Sequence, residues 1–163
     1  MATASPRAAS AKATAPKAQL AGFMAKYTPA MATEGRAALT RLRRLVPGAV
    51  QMVYDNWNGL VVGFGPTERA SEAVVSILML ADHLTLCFVQ DGPDLPDPEH
   101  LLKGSGNIVR HIKLTAARDL DTLAIRALVK AAVARSEVAF NPHQRSRLVI
   151  KSISKKQRPR RPL

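Results

Sequence analysis

The chain has 163 residues, of which 47% are hydrophobic, and this composition is typical of one folded domain with extensions. Its longest uncharged apolar run, residues 73–81, is too short to cross a bilayer. A single cysteine, Cys87, excludes an internal disulfide. We therefore expect a cytoplasmic protein with no membrane partner.

The net charge of +12 is distributed unevenly along the chain. Residues 1–28 carry +4 and residues 137–163 carry +7, whereas residues 29–136 carry only +1. Residues 1–18 offer almost nothing to bury, so they are predicted to be a disordered basic arm. The folded domain is expected over 19–136. Residues 137–163 are expected to form a basic tail, with one short strand at 148–154 and then disorder.

The first clear helix signal covers residues 28–46. Thr28 can cap this helix, Pro29 suits its first position, and its leucines recur at helical spacing. Four apolar runs that predict strands follow it, at 49–55, 59–65, 74–80 and 84–89. The first two runs are joined by the turn signal Asn-Trp-Asn-Gly.

The stretch DPEHLLKGSGNIVRHIKL, residues 97–114, predicts a helix of about two turns over 97–103, then a turn, and another strand over 108–114. Asp97 is a good N-cap, Pro98 suits the first helical position, and Gly104 lies where a helix end favours a left-handed residue. A last helix is predicted over 117–135, with one broad apolar face. This order, helix, strands, short helix, strand and helix, predicts a single compact domain of the α+β class.

Arg110 is a charged residue that the predicted strand 108–114 places on its core-facing side. Alternation places it on the same face as Ile112 and Leu114, where a charge is costly unless it is paired. Its predicted partner is Asp94, Asp97 or Asp55. Two interpretations stay open, since the arginine could tie the acidic loop to the sheet or could anchor a bound anion.

A candidate ligand pocket follows from the second interpretation. His111 points to the opposite face, and a lone histidine is more often structural than metal-bound. Tyr54 and Trp57 flank the predicted turn and would either cover the edge of the core or form a pocket wall. The candidate ligand-binding residues are Arg110, Asp94, Asp97, Tyr54, Trp57 and His111.

Patterns for metal, phosphate or catalytic sites are weak. The acidic run 91–99 matches no calcium loop. The glycines of Lys-Gly-Ser-Gly-Asn follow a helix instead of leading into one, which argues against a phosphate-binding loop. No nucleophile motif surrounds Ser105. We therefore predict no metal site, cofactor or catalytic residue, and an enzyme of unknown class is kept as the second alternative.

The basic tail is the candidate nucleic-acid-binding segment. Mobile cationic arms bind phosphate backbones weakly and without sequence preference. The competing interpretation is a solvated tail that only improves solubility. The candidate nucleic-acid-binding residues are Lys155, Lys156, Arg158, Arg160 and Arg161.

Three stretches together resemble the YdhG-like family of domains of unknown function, over about residues 34–133. They are YDNWNGLVVGFGPTERASEAVVSI, the strand LTLCFV, and DGPDLPDPEHLLKGSGNIVRHIKL, whose D-P-x-x-L-L-K-G-S-G-x-x-x-R-H-I-K-L pattern is the most specific element. The resemblance implies one mostly antiparallel sheet with helices packed on it. One branch of the family is described as a frataxin-like intracellular iron chaperone. The resemblance thus implies a metal-ion or small-molecule carrier as the first alternative to a non-enzymatic binding domain that associates weakly with nucleic acid.

Overall fold

The computed structural model describes residues 15–163, which form three α-helices and six β-strands. The helices are α1 (Pro16–Met24), α2 (Pro29–Leu45) and α3 (Leu123–Ala134). The strands are β1 (Val50–Asp55), β2 (Leu60–Gly65), β3 (Val75–Met79), β4 (Leu84–Phe88), β5 (Arg110–Leu114) and β6 (Arg147–Ile153). Within residues 15–163, no helix is long and apolar enough to cross a membrane.

All six strands belong to one sheet in the order β5-β4-β3-β2-β1-β6. Strands β1 to β5 pair antiparallel with their chain neighbours, whereas β6 lies parallel to β1 at the opposite edge. The parallel pair arises because the chain crosses back through α3 before it forms β6, and parallel pairing needs such a crossover. The predicted α+β domain with a mostly antiparallel sheet is confirmed.

The core lies between one face of the sheet and the helices. The strand registers place Val53 opposite Val62, Val62 opposite Ile77, and Ile77 opposite Leu86. The α2 side chains Leu39 and Leu42 belong to the same buried cluster, and each is at most 1% exposed. Thr28 caps α2 as predicted, since its hydroxyl accepts a hydrogen bond from the Met31 amide at 3.2 Å. This rigid layer fixes the positions of the strand ends described below.

The predicted helix over 97–103 does not form. The Asp97 carboxylate does accept hydrogen bonds from the amides of Leu101 and Leu102, each at 2.8 Å. His100, however, has φ of 53°, and Lys103 pairs in both directions with the backbone of His111. A helix of two turns is costly to nucleate, so the backbone groups are satisfied by the sheet edge instead. The short helical segment in this region is a single 3₁₀ turn, Gly92–Asp94.

The terminal segments differ from their predicted boundaries. Helix α1 begins at Pro16, inside the arm predicted over 1–18, and residues 1–14 of that arm lie outside the described residues. Strand β6 confirms the short strand predicted in the tail. The disorder predicted after it is wrong for residues 154–160, because this segment folds back onto the sheet and Arg160 is only 5% exposed.

Candidate functional site

The six predicted ligand-pocket residues fall into two separate groups. Arg110 and His111 lie on β5, close in sequence to Asp94 and Asp97, while Tyr54 lies on β1 and Trp57 in the turn after it. Three strands separate β1 from β5, and strand spacing makes that roughly 19 Å. A single pocket formed by all six residues is therefore excluded.

Arg110 lies on the predicted face but has different partners from those predicted. It is opposite Phe88 at the sheet edge, on the face shared by the buried Ile112 and Leu114. Its guanidinium donates to the backbone oxygens of Gly106 and Val109. The predicted pairing with Asp94, Asp97 or Asp55 is wrong, because the arginine is at the edge and reaches the carbonyl groups of its own loop.

Asp55, at the end of β1, is the centre of a buried ionic cluster that the sequence did not indicate. Its carboxylate is fully buried; Lys26 Nζ lies 2.6 Å from Oδ2 and Arg160 Nη2 lies 2.9 Å from Oδ1. Asp55 and Arg160 are the two buried charged residues in the part of the chain that the structure describes, and they pair with each other. This pairing meets the condition under which buried charges are tolerated.

Backbone and amide contacts extend the cluster along the C-terminal segment. The amide of Ser154 donates to Asp55 O at 2.8 Å, and the amide of Arg158 donates to Trp57 O at 2.9 Å. The Gln157 side chain donates to Asp55 O at 3.1 Å and accepts from Lys26 Nζ at 2.9 Å. Residues 154–160 are thus fixed to the β1–β2 hairpin.

The signal that could have located this cluster is the position of Asp55 on its strand. Asp55 shares a face with Val53 and Gln51 inside an apolar run, so alternation places its carboxylate toward the core. A carboxylate there requires a cation. Sequence alone offers no means of choosing Arg160, which is separated from Asp55 by 105 positions.

Burial would raise the pKa of the Asp55 carboxyl, but the hydrogen bonds from Lys26 and Arg160 outweigh it and hold the pKa below the ordinary value. A depressed carboxyl pKa contributes stability above the unfolded-state pKa, and that stability is lost as the pH falls through the folded-state pKa. We therefore expect the difference in unfolding free energy between wild type and Asp55→Asn to be constant down to about pH 4 and to shrink below it. Urea unfolding of both proteins between about pH 7 and pH 2 measures this difference. A difference that persists unchanged at the acid end would contradict it.

The C-terminal segment and the β1–β2 turn together present a cationic and aromatic surface, which we name the basic sheet end. Its side chains are exposed: Trp57, Lys155, Lys156, Arg158 and Arg161. The Trp57 ring is 53% exposed, and the Arg158 guanidinium lies 5.2 Å from its centroid. Arg160, predicted to bind nucleic acid, is buried against Asp55, so its role in this structure is to hold the segment in place.

One acidic residue lies beside the basic sheet end. Asp82, in the β3–β4 turn, lines a shallow cavity of about 310 Å³ together with Arg158 and Arg161. Its carboxylate is 2.8 Å from His83 Nδ1. The four exposed cations outnumber this carboxylate. Cations beside an exposed aromatic ring suit a ligand that carries both phosphate groups and flat rings able to stack.

Metal-ligating side chains do not converge in the described part of the chain. Within residues 15–163, no three His, Cys, Asp or Glu side chains lie close enough together to hold an ion. The iron-carrier alternative thus gains no candidate site from these residues.

Comparison with known proteins adds no family to these observations. No protein-family model matches the chain, and neither a curated protein nor a solved structure is significantly similar to it. The resemblance to the YdhG-like family stays a prediction from the quoted motifs.

Proposed function

We propose that the protein is a non-enzymatic binding protein whose basic sheet end holds single-stranded nucleic acid. The observation that carries the proposal is the exposed Trp57 ring with the Arg158 guanidinium 5.2 Å from its centroid. Arg158 belongs to a segment that a buried ion pair holds in place and that also carries the exposed Lys155 and Lys156. Single-strand binders combine aromatic rings, on which bases stack, with cations that follow the backbone. Such binding is tolerant of sequence.

Ordering of the segment distinguishes this proposal from the solubilising-tail interpretation. A solvated tail needs no fixed geometry, whereas residues 154–160 form hydrogen bonds to the backbone of Asp55, Asn56 and Trp57. Because the backbone that carries the cations is held in place, less conformational entropy of the segment is lost when they bind phosphates. The same fixed backbone carries Arg158 beside the Trp57 ring, so a base stacked on the ring would have a cation within reach of its phosphate.

Fluorescence anisotropy with a labelled oligothymidine tests the proposal on the full-length chain. If all four exposed cations contact phosphates, log affinity should fall with log salt with a slope of about −3, because single strands give about −0.7 per neutralised phosphate. Lys155→Gln with Lys156→Gln should make the slope about 1.4 units shallower. Trp57→Ala should weaken binding about fivefold or more and leave the slope unchanged, because stacking is not ionic.

A charge-matched control uses α3, where Arg126→Gln with Lys130→Gln removes the same charge from a different element. We expect this control to weaken binding much less than the double lysine variant does. Equal losses from both pairs, together with no effect of Trp57→Ala, would mean that net charge alone drives association, and the proposed site would then be rejected.

A further inference from the structure

A groove of about 420 Å³ lies between α1, α2 and the start of β6. Its floor is apolar and includes Leu20, Met24 and Leu39, which are 7%, 2% and 1% exposed. Leu148 of β6 closes one side. The volume is within the usual range for small-molecule sites, roughly 300–1,000 Å³, and the groove shares no lining residue with the cavity at the basic sheet end.

The charged residues that line this groove are all basic. Lys17, Arg36, Arg43 and Arg147 contribute to the lining, and among residues 15–163 no aspartate or glutamate does. Arg147 is already engaged, since its Nη1 lies 2.6 Å from Glu68 Oε2. Arg36 and Arg43 are two helical turns apart on the same side of α2, with Leu39 between them. The groove therefore offers an apolar floor under unneutralised cations.

Arg43 is held in position by a hydrogen-bonded chain at the groove floor. Its Nε donates to Gln51 Oε1 at 3.1 Å, and Gln51 is only 4% exposed. Gln51 Nε2 donates to Ser146 Oγ at 3.3 Å, and that hydroxyl donates to Ala49 O at 3.0 Å. The Nη groups of Arg43 donate to no residue that the structure describes. The guanidinium is thus oriented through Nε while its two terminal groups stay available.

Arg43 is exposed at the groove, but the protein atoms around its guanidinium displace part of its hydration and lower its pKa from the ordinary value. A carboxylate placed against the two Nη groups would restore hydrogen bonds there, because the guanidinium fork matches two carboxylate oxygens. A purely polar anion would leave the apolar floor uncovered. An apolar chain attached to the anion would cover it and gain the corresponding hydrophobic stabilisation.

We propose that this groove binds a small amphipathic carboxylate. Its carboxylate contacts Arg43, with Arg36 as the second cation, and its apolar chain lies over Leu20, Met24 and Leu39. The site uses none of the residues of the basic sheet end, so it is a second activity that is independent of nucleic-acid binding. If the protein is a small-molecule carrier, this groove predicts that its cargo is an amphipathic carboxylate.

Isothermal titration of the full-length protein with decanoate, below its micelle-forming concentration, tests the proposal. Acetate supplies the charge without the chain, and decanol supplies the chain without the charge. We expect saturable binding of decanoate and at least tenfold weaker binding of the other two. Arg43→Met should raise the Kd about tenfold or more, the usual effect of losing a charged hydrogen-bond donor.

Arg44→Met is the matched control, because Arg44 neighbours Arg43 on α2 but does not line the groove. Its Kd should stay within about threefold of wild type. If Arg43→Met fails to fold, Arg36→Met serves in its place, because it removes the second cation of the groove from an exposed position. Absence of saturable decanoate binding, equal affinity for decanol, or equal effects of the Arg43 and Arg44 substitutions would each overturn the proposal. Oligonucleotide binding should be unchanged in all these variants.

Discussion

Replacing Arg160 with methionine should lower the free energy of unfolding by about 3 kcal/mol, because removal of one partner from a buried ion pair leaves the other charge uncompensated. Asp55 is completely buried and the Arg160 side chain is only 3% exposed. Lys26 stays beside Asp55 in the variant, but its side chain is 42% exposed, so it offsets only part of the loss. Urea unfolding monitored by circular dichroism gives the difference.

Arg158→Met is the control for this prediction. It removes the same charge two positions earlier, from a side chain that is exposed over Trp57. We expect its stability to be within about 0.5 kcal/mol of wild type, as for most surface changes. A double variant, Asp55→Leu with Arg160→Met, should recover much of the stability, because apolar replacement of a whole buried pair is often neutral. Equal losses from Arg160→Met and Arg158→Met would show that the pair is unimportant.

Gly48→Ala is expected to have the second large effect, a loss of about 2–4 kcal/mol. Gly48 follows α2 with φ of +79°, a left-handed conformation that costs a residue with a Cβ about 1–2 kcal/mol. A Cβ here would also overlap the backbone oxygen of Asn141, in the segment that leads to β6. Backbone atoms cannot move aside as a flexible side chain can, so the overlap adds the cost of an overpacked site.

Gly22→Ala, in α1, provides the matched comparison. A Cβ at Gly22 has no atom within 4 Å and the residue lies in a regular helix. The substitution should stabilise the protein by about 0.4–1 kcal/mol, since alanine is the better helix former and restricts the unfolded chain. Thermal and urea unfolding of the two variants should therefore shift in opposite directions. A Gly48→Ala protein as stable as wild type would contradict the packing of the 141–144 segment against Gly48.

The effect of Arg160→Met on stability bears on the proposed nucleic-acid site. Because Arg160 fixes the segment that carries Lys155, Lys156 and Arg158, Arg160→Met should also weaken oligothymidine binding, although Arg160 itself is buried. The loss would come from a larger entropy cost of ordering the segment on binding. It is therefore distinguishable from the loss caused by Lys155→Gln with Lys156→Gln, which changes the salt slope directly.

The sequence by itself determined the elements whose signals are local. Thr28 and Pro29 marked the start of α2, and the apolar runs with their Asn-Trp-Asn-Gly turn marked the β1–β2 hairpin. Period-two alternation placed Arg110 on the face of Ile112 and Leu114. Local capping and alternation depend on residues a few positions apart, so one sequence is enough to read them. The N-cap prediction for Asp97 was wrong: its carboxylate accepts from the amides of Leu101 and Leu102, and the helix it was expected to start is replaced by edge pairing of Lys103 with His111.

Only the tertiary structure decided which distant residues meet. Sheet order separated Tyr54 from Arg110, and crossover of the chain through α3 brought the C-terminal segment beside β1. As a result Arg160, one of five similar cations in a polar tail, became the buried partner of Asp55, and its neighbours became an ordered surface around Trp57. The Arg43–Gln51–Ser146 chain in the groove joins α2, β1 and the loop before β6 in the same way. A charge pattern gives the sign of a surface, but burial, and hence the role of each cation, depends on contacts between residues far apart in the chain.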